Sequence, residues 1–480
     1  MKNEKSKIEK LTTMLRQKSI SFTLIQHPPI KTVEEGLQSL GIDASQGCST
    51  LIIKADGRFV AVYRRDDHQL DLEKVRKILG AKSVQMATPA EILTQTGSPL
   101  GATPLFSGLP ALMDQTLLEK EYVYGGTGSF GYDLKIKPED LQGLNKAEAA
   151  DLIKTRRVFS GSRPTGRLHI GNYLGGVKGY LALQERADLD CIYSVVDLHG
   201  ITTPYNPKTF QQQIRDVVLD YLGCGLDPKK CHLMIQSQVP EHIELAYFLS
   251  TIYPVSRVEQ LPTYKDKKLE NPDYINVGLF YYPILMAADI LIYKAELVPV
   301  GIDQEPHIEL TREIARKFNQ TFSPIFPETK RFATSGEYVP SLLGSGKMSK
   351  SVEGSYILLT DDLKTIKARL AKAPTDTGKG EKAPVSGGVA NLLTLVELFE
   401  GKKERQNYEK QYLGKGIKYS ELKENLAQAI YKELKPIQER RLKFEKNPKL
   451  VDQILEDGRQ YCSQIAKKTL AEVKQAMGLL

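Results

Sequence analysis

No stretch of the sequence holds the roughly 20 apolar residues that a bilayer-spanning helix needs, which excludes a helical membrane protein. The N-terminus, MKNEKSKIEKLTTMLRQKS, is a charged amphipathic segment without an apolar signal core, so a cytoplasmic protein is expected. Cysteine is scarce as well: Cys48, Cys191, Cys224, Cys231 and Cys462 are scattered, odd in number and without paired metal spacing. That pattern implies neither a zinc site nor a disulfide framework, and no protein metal ligands are expected. No repeat of solenoid period occurs. Tryptophan is absent altogether beside 23 tyrosines.

What is present reads as a globular chain, with 41% hydrophobic and 26% charged residues. Its 480 residues suggest about three domains at ~150 residues each. Lysine and arginine outnumber acidic residues 66 to 58, and residues 401–480 alone carry 18 basic against 11 acidic. Nearly all the net charge is therefore C-terminal, as expected of a surface that meets a phosphate backbone, although solvated helix faces carry such runs too.

The chain is organised around Val158–Gly176, VFSGSRPTGRLHIGNYLGG. A short apolar run meets a loop with Gly161, Pro164 and Gly166, and a helical register opens at His169. Strand, glycine turn and helix in that order suit a phosphate, because the helix start offers unpaired N–H groups and Gly171 permits close approach. His169 and Asn172, three apart, then project from one face of the first turn. Alone, HxGN also fits a helix cap with a surface histidine. Its partner is KMSKS at 347–351, two lysines on a turn after Gly344 and Gly346, suited to neutralising a polyphosphate.

Residues 1–150 alternate short strands and helices, an α+β pattern in which Asp56-Gly57 marks a tight hairpin between STLIIKAD and RFVAVYRR. Gly97–Phe106 and Gly125–Ile136 read as glycine loops around a pocket, or merely as turns. Residues 139–155 look like a helical linker. Residues 156–360 repeat strand and helix, with the continuous apolar run Cys191–Val196 ending at Asp197 and His199, as in a buried parallel strand of a doubly wound α/β sheet. Residues 361–480 read as an all-α appendage, with a polar loop at 375–389.

The N-terminal segment resembles the YbaK family of aminoacyl-tRNA deacylases through TVEE, TLIIKADG, LDLEKVRKILG, TGSPLGATPL and GGTGS. Deacylating members carry a lysine just before the central TL, where this chain has Ser49. Either hydrolytic editing or tRNA binding follows from the resemblance. Residues 156–480 resemble the bacterial-type tryptophanyl-tRNA synthetases, a branch of class I aminoacyl-tRNA synthetases, through HIGN, KMSKS, VDLHGIT, GLDPKK, QSQVPEHIEL, YYPILMAADILIY, VPVGIDQEPHIELTREIARKFN and PIQERR. The fold implied is a Rossmann-like, doubly wound parallel-sheet catalytic domain with a helical anticodon-binding region.

The implied activity is ligation of L-tryptophan to tRNA(Trp) through an adenylate, with ATP and Mg²⁺ and a homodimer across which one tRNA lies. Catalytic roles fall by resemblance on His169, Asn172, Lys347, Ser349 and Lys350. Arg163, Pro164, Thr165, Gly171, Gly301, Ile302, Asp303, Val339, Met348 and Ser351 join them around ATP, and Arg163 stands where many relatives have Gln. An indole N–H only donates, so its pocket needs an acceptor among apolar walls. The resemblance puts Asp289 there, with Phe159, His199, Tyr282 and Met286 as walls and Gln304 at the amino or carboxylate end. The competing readings are a tyrosyl-tRNA synthetase and a synthetase-like RNA-binding regulator without catalysis. Absence of tryptophan would free such an enzyme's synthesis from its own substrate.

Overall fold

The computed structural model describes residues 2–270, 272–333, 338–350 and 352–480. The chain divides into two compact units, Met1–Thr155 and Arg156–Leu480.

The first unit contains strands β1 (Phe22–Gln26), β2 (Cys48–Ala55), β3 (Arg58–Arg65), β4 (Val84–Met86), β5 (Ala111–Asp114), β6 (Val123–Ser129), β7 (Tyr132–Ile136) and β8 (Glu148–Ala150). They form a mixed sheet ordered β4-β2-β3-β5-β8 and a smaller one ordered β1-β7-β6. Asp56 (φ 45°) and Gly57 (φ 85°) join β2 to β3 with Ala55 facing Arg58, the two positive φ values that a tight hairpin twisting with its strands requires. Helix Val33–Leu40 starts on a capping box, with Thr32 accepting from Glu35 N–H. The segment Gly125–Ile136 is a hairpin of β6 and β7 rather than a loop. The stretch 139–155 is not a linker: helix Pro138–Asn145 and strand Glu148–Ala150, which pairs with β5, occupy most of it, and all of it falls in the first unit.

The second unit is built on five parallel strands: β9 (Arg156–Ser162), β10 (Leu189–Val195), β11 (Cys231–Ile235), β12 (Leu297–Pro299) and β13 (Lys330–Phe332). Their order is β11-β10-β9-β12-β13, so chain direction across the sheet reverses between β9 and β12. Ligands bind at such a switch point in open parallel sheets. Alternation along β9 sends Val158 into one core and Phe159 into the other, so both faces are covered. The helices after Asp362 do not stand apart from the sheet. Leu392, Leu426, Ile430, Leu434 and Ile437 share a core with Val158 and Tyr193. Helix Pro448–Ala476 lies directly on β11, where a Cβ at Gly458 would collide with the Leu233 carbonyl. Three short helices, Glu241–Ser250, Val255–Glu259 and Pro262–Glu270, come between β11 and helix Val277–Leu291. Among the described residues no helix is long and apolar enough to cross a membrane.

Candidate functional site

A cavity of about 390 Å³ opens at the C-terminal ends of β9, β10 and β12. It brings together Phe159, Arg163, Thr165, Asn172, His199, Tyr282, Met286, Asp289, Gln304 and Lys350, residues up to 191 positions apart (159 to 350). The last residues of β9, Ser160 to Ser162, already line the cavity, and the remaining polar groups come from the segments that follow the strands.

At one end lies the turn after β9. His169 is the N-cap of Ile170–Asn172, and its Nδ1 accepts from Gly171 N–H (3.1 Å) and Asn172 N–H (3.3 Å). Asn172 Oδ1 accepts in return from His169 N–H (3.1 Å). The two side chains therefore close a reciprocal cap instead of projecting side by side. Burial, aided by the charges of Lys350 and Lys347, pushes the His169 pKa down to about 3. A neutral ring whose Nδ1 accepts carries its proton on Nε2, leaving that N–H as a donor. A Cβ at Gly171 would lie 2.9 Å from the His169 ring, so glycine permits the cap. The helix then loosens into a π-type turn, Tyr173–Val177, before continuing as Lys178–Gln184.

The lysine loop folds back onto this turn. Lys350 Nζ donates to the carbonyls of Gly166 (3.0 Å) and Arg167 (2.7 Å). Burial pulls its pKa down to about 8, and the Arg163 charge acts in the same direction. Lys347 Nζ lies 3.4 Å from Asp303 Oδ1, next to Gly301 and the exposed Ile302. Burial raises the Asp303 pKa, but the bonds from Gln304 and Lys347 outweigh it and hold the carboxyl below its usual range. Met348 is buried and its N–H donates to the Val339 carbonyl (2.9 Å), so that carbonyl is already engaged. Ser355 Oγ bridges the backbone N–H and carbonyl of Ser349. Pro164 is buried, its ring close to Gly200. Ser351 lies outside the described residues.

The other end of the cavity is floored by Asp289, 1% exposed on helix Val277–Leu291. It is not a lone acceptor. His199 Nε2 lies 2.8 Å from Oδ2, His242 Nδ1 2.6 Å from Oδ1, and Gln236 Nε2 donates to both oxygens (2.7 and 2.9 Å). Burial would raise the pKa of this carboxyl, but the His199 and His242 bonds overturn that and keep it ionised. Phe159 stacks on Tyr293 at 5.4 Å, and the Tyr282 hydroxyl meets His307 Nε2 at 3.1 Å. Burial lowers the His307 pKa to about 4. Gln236, His242, Tyr293 and His307 went unrecognised in the sequence. Tyr293 closes the apolar run ILIY, whereas Gln236, His242 and His307 stand among other polar residues and carry no signal.

In the first unit a second cavity of about 270 Å³ lies between β2 and the glycine-rich segments. Ser49 Oγ donates to Asp66 there.

A family profile described as "tRNA synthetases class I (W and Y)" matches residues 154–435, and one described as "Aminoacyl-tRNA editing domain" matches residues 27–144. The tryptophan–tRNA ligase of Porphyromonas gingivalis is 38% identical over 325 residues, which cover 67% of this chain and 98% of that protein. Among solved structures, the tryptophanyl-tRNA synthetase of Mycoplasma pneumoniae superimposes with a TM-score of 0.60 at 30% identity, covering 68% of this chain and 98% of the other. That of Campylobacter jejuni, complexed with ADP and tryptophan, gives 0.58 at 29% identity, covering 67% and 100%.

Proposed function

The chain belongs to the class I tRNA synthetases of the tryptophan and tyrosine branch and acts as a tryptophan–tRNA ligase, and from that premise we propose how its cavity divides the work. The tryptophan carboxylate attacks the α-phosphate of ATP, pyrophosphate leaves, and the terminal tRNA adenosine then takes the aminoacyl group from the adenylate. Such chemistry proceeds mainly by positioning and charge stabilisation.

The His169 Nε2–H and the Asn172 amide donate to ATP phosphates, with Gly171 leaving room for the capping His169 ring. Lys347 and Lys350 exchange their carboxylate and carbonyl partners for phosphate oxygens and follow the charge that develops on leaving pyrophosphate. Ser349 and the buried Met348 anchor that loop. Arg163, Pro164 and Thr165 border the triphosphate; Gly301, Ile302, Asp303 and the backbone at Val339 meet the nucleoside. Mg²⁺ travels with the phosphates. The tryptophan side chain lies between Phe159, Tyr282 and Met286, its N–H shared onto Asp289 beside His199, while Gln304 turns toward the amino acid's polar end.

One observation carries the amino-acid assignment: an ionised, buried carboxylate among aromatic walls at the sheet's switch point. An anion fixed by three donors presents acceptor capacity only, which suits a group that can only donate. The basic surplus of residues 401–480 supports contact with the tRNA backbone, and the family resemblance supports a homodimer in which that region of one subunit serves tRNA held by the other. Amino-acid-dependent pyrophosphate exchange tests the reading. Exchange should require tryptophan, and exchange with tyrosine but not tryptophan would refute it. The first unit is proposed to receive the aminoacylated 3′ end of tRNA in its own cavity.

A further inference from the structure

The helix that starts on the cap of His169 and Asn172 does not run on with α-helical spacing. Tyr173–Val177 form a π-type turn in which Lys178 N–H donates to the Tyr173 carbonyl, five residues back, and the α-helix resumes at Lys178–Gln184. Side chains five apart on an α-helix point about 140° away from one another, whereas the wider turn brings them to one side. A single oxygen meets both ends of it. Glu433 Oε1, on helix Tyr419–Glu445, accepts from the Tyr173 hydroxyl (2.9 Å) and from Lys178 Nζ (3.0 Å), and Lys178 Nζ also lies 5.2 Å from the centre of the Tyr173 ring. Tyr173 is buried, so its hydroxyl needs a partner from the protein, and Glu433 supplies it. Lys178 is partly exposed and its pairing counts for less. Burial would raise the Glu433 pKa, but the bond and charge of Lys178 and the Tyr173 bond outweigh it and hold the carboxyl below its usual range.

The residues on either side of the wide turn are fixed. Upstream, Leu359 N–H donates to the Leu168 carbonyl (3.0 Å) and Ile170 N–H to the Ile357 carbonyl (2.9 Å), while Gln438, five residues beyond Glu433, donates to the Leu359 carbonyl (2.8 Å). Downstream, Tyr180 and Leu183 belong to the core, and the Tyr180 hydroxyl bonds Ser160 Oγ (2.8 Å). Were Tyr173–Val177 to tighten to α-helical spacing, the residue released would be absorbed at 169–172, the positions that form the cap. The width of the turn therefore decides where His169 and Asn172 aim.

We propose that Glu433 is a positioning residue for adenylate formation, which ties Tyr173 to Lys178, keeps the turn wide and so aims the donors of His169 and Asn172. The inference rests on the reading that those donors serve the ATP phosphates. Neither Glu433 nor Tyr173 lines the cavity, so Glu433 acts through Tyr173, which directly follows Asn172. Misaimed donors lose most where charge develops, and the loss falls on the rate at saturation rather than on tryptophan binding.

The test measures single-turnover adenylate formation by the full chain at varied ATP and tryptophan, with urea unfolding alongside. Glu433→Ala should slow the step about 10-fold or more at saturating substrates and leave the KM for tryptophan within about 2-fold. Glu433→Gln keeps a carbonyl for the Tyr173 hydroxyl and should recover about 3-fold of that loss, and Tyr173→Phe, which removes only the hydroxyl, should slow the step in the same direction. Both are close in shape to the native residue and decide the matter if Glu433→Ala does not fold. His169→Ala should slow the step about 100-fold, and Glu433→Ala added to it should cost less than about 3-fold more, because a donor that is absent cannot be misaimed. Equal losses from Glu433→Ala in the two backgrounds, or a lowered unfolding midpoint with an unchanged rate, would overturn the positioning role and leave the His169 assignment standing. A rate unchanged by His169→Ala would overturn the reading on which the inference rests.

Discussion

His242 Nδ1 lies 2.6 Å from Asp289 Oδ1, and the other nitrogen of the same imidazole lies 2.6 Å from the Tyr293 hydroxyl. A carboxylate only accepts, so Nδ1 must carry a proton, and the ring joins the floor of the cavity to the aromatic wall on which Phe159 stacks. The acceptor assigned to tryptophan is thereby held from below.

Replacing that acceptor should separate the two substrates. Asp289→Asn keeps the volume but sets an NH₂ against His199, Gln236 or His242, each of which already donates. Tryptophan-dependent kcat/KM should fall roughly 100-fold or more, since a site built to pair a polar group loses heavily when the pairing fails. The KM for ATP should change little. His242→Ala should act in the same direction but less, because it only positions Asp289. Pyrophosphate exchange at varied tryptophan and varied ATP gives both constants, and an effect confined to ATP would contradict the division of the cavity.

Lys350 gives the pH dependence a sign. Its pKa is lowered to about 8, so the ammonium is present below that pH and is lost as pH rises through it. Activation at limiting ATP should therefore decline above about pH 8, and the limb measured at saturating ATP should lie higher, because bound triphosphate favours the charged lysine. Lys350→Arg stays charged throughout and should carry no such limb, whatever its absolute rate. His169, near pKa 3, should contribute none between pH 5 and 8.

The reach of the sequence can be followed residue by residue. Asp56-Gly57 announced a hairpin because only one backbone geometry suits that dipeptide between two strands, and HIGN and KMSKS announced their loops because phosphate chemistry restricts residue types over a few positions. Gln236 and His242 left no such trace. They follow β11 and open the next helix, and they reach Asp289 only because both segments pack on the sheet face that carries helix Val277–Leu291. Strand β8, three residues long, has no periodicity to read and is defined by its pairing with β5. The reciprocal cap of His169 and Asn172 is not legible in the sequence either, since spacing three apart fits both a shared face and a capping box.

Gly171→Ala tests that cap. The added methyl would sit 2.9 Å from His169 Cε1 and Nδ1, between the ring and the N–H groups it accepts from. The ring must turn away, which removes the cap and misdirects Nε2. A loss of about 1 kcal/mol in stability is expected, and adenylate formation should slow by about 10-fold or more. Denaturant unfolding and single-turnover adenylate formation measure the two separately, and an unchanged adenylate rate would mean that the His169 donor does not serve the phosphates.

The turn is also held from the C-terminal helices, through a buried carboxyl whose charge depends on pH. Leu168 N–H, next to His169, donates to Asp220 Oδ2 (2.6 Å), and the other oxygen of this fully buried carboxylate accepts from Arg441 Nε (2.8 Å). Arg441 also reaches Asp216 (2.8 Å), so one guanidinium from helix Tyr419–Glu445 neutralises the carboxyl that fixes the signature turn. Arg441→Ala would strand Asp220 as a buried charge, and a loss of about 3–5 kcal/mol is expected. Burial already raises the Asp220 pKa, with Leu168 and Arg441 restraining the rise. Without Arg441 it rises further above the unfolded value, and a carboxyl raised in the folded state favours folding while it holds its proton and disfavours it as pH climbs through the folded pKa. The loss in Arg441→Ala should therefore be smaller at pH 5 than at pH 8, with a raised KM for ATP at both. Urea unfolding at the two pH values decides it, and equal losses would show that Asp220 is neutralised by something other than Arg441.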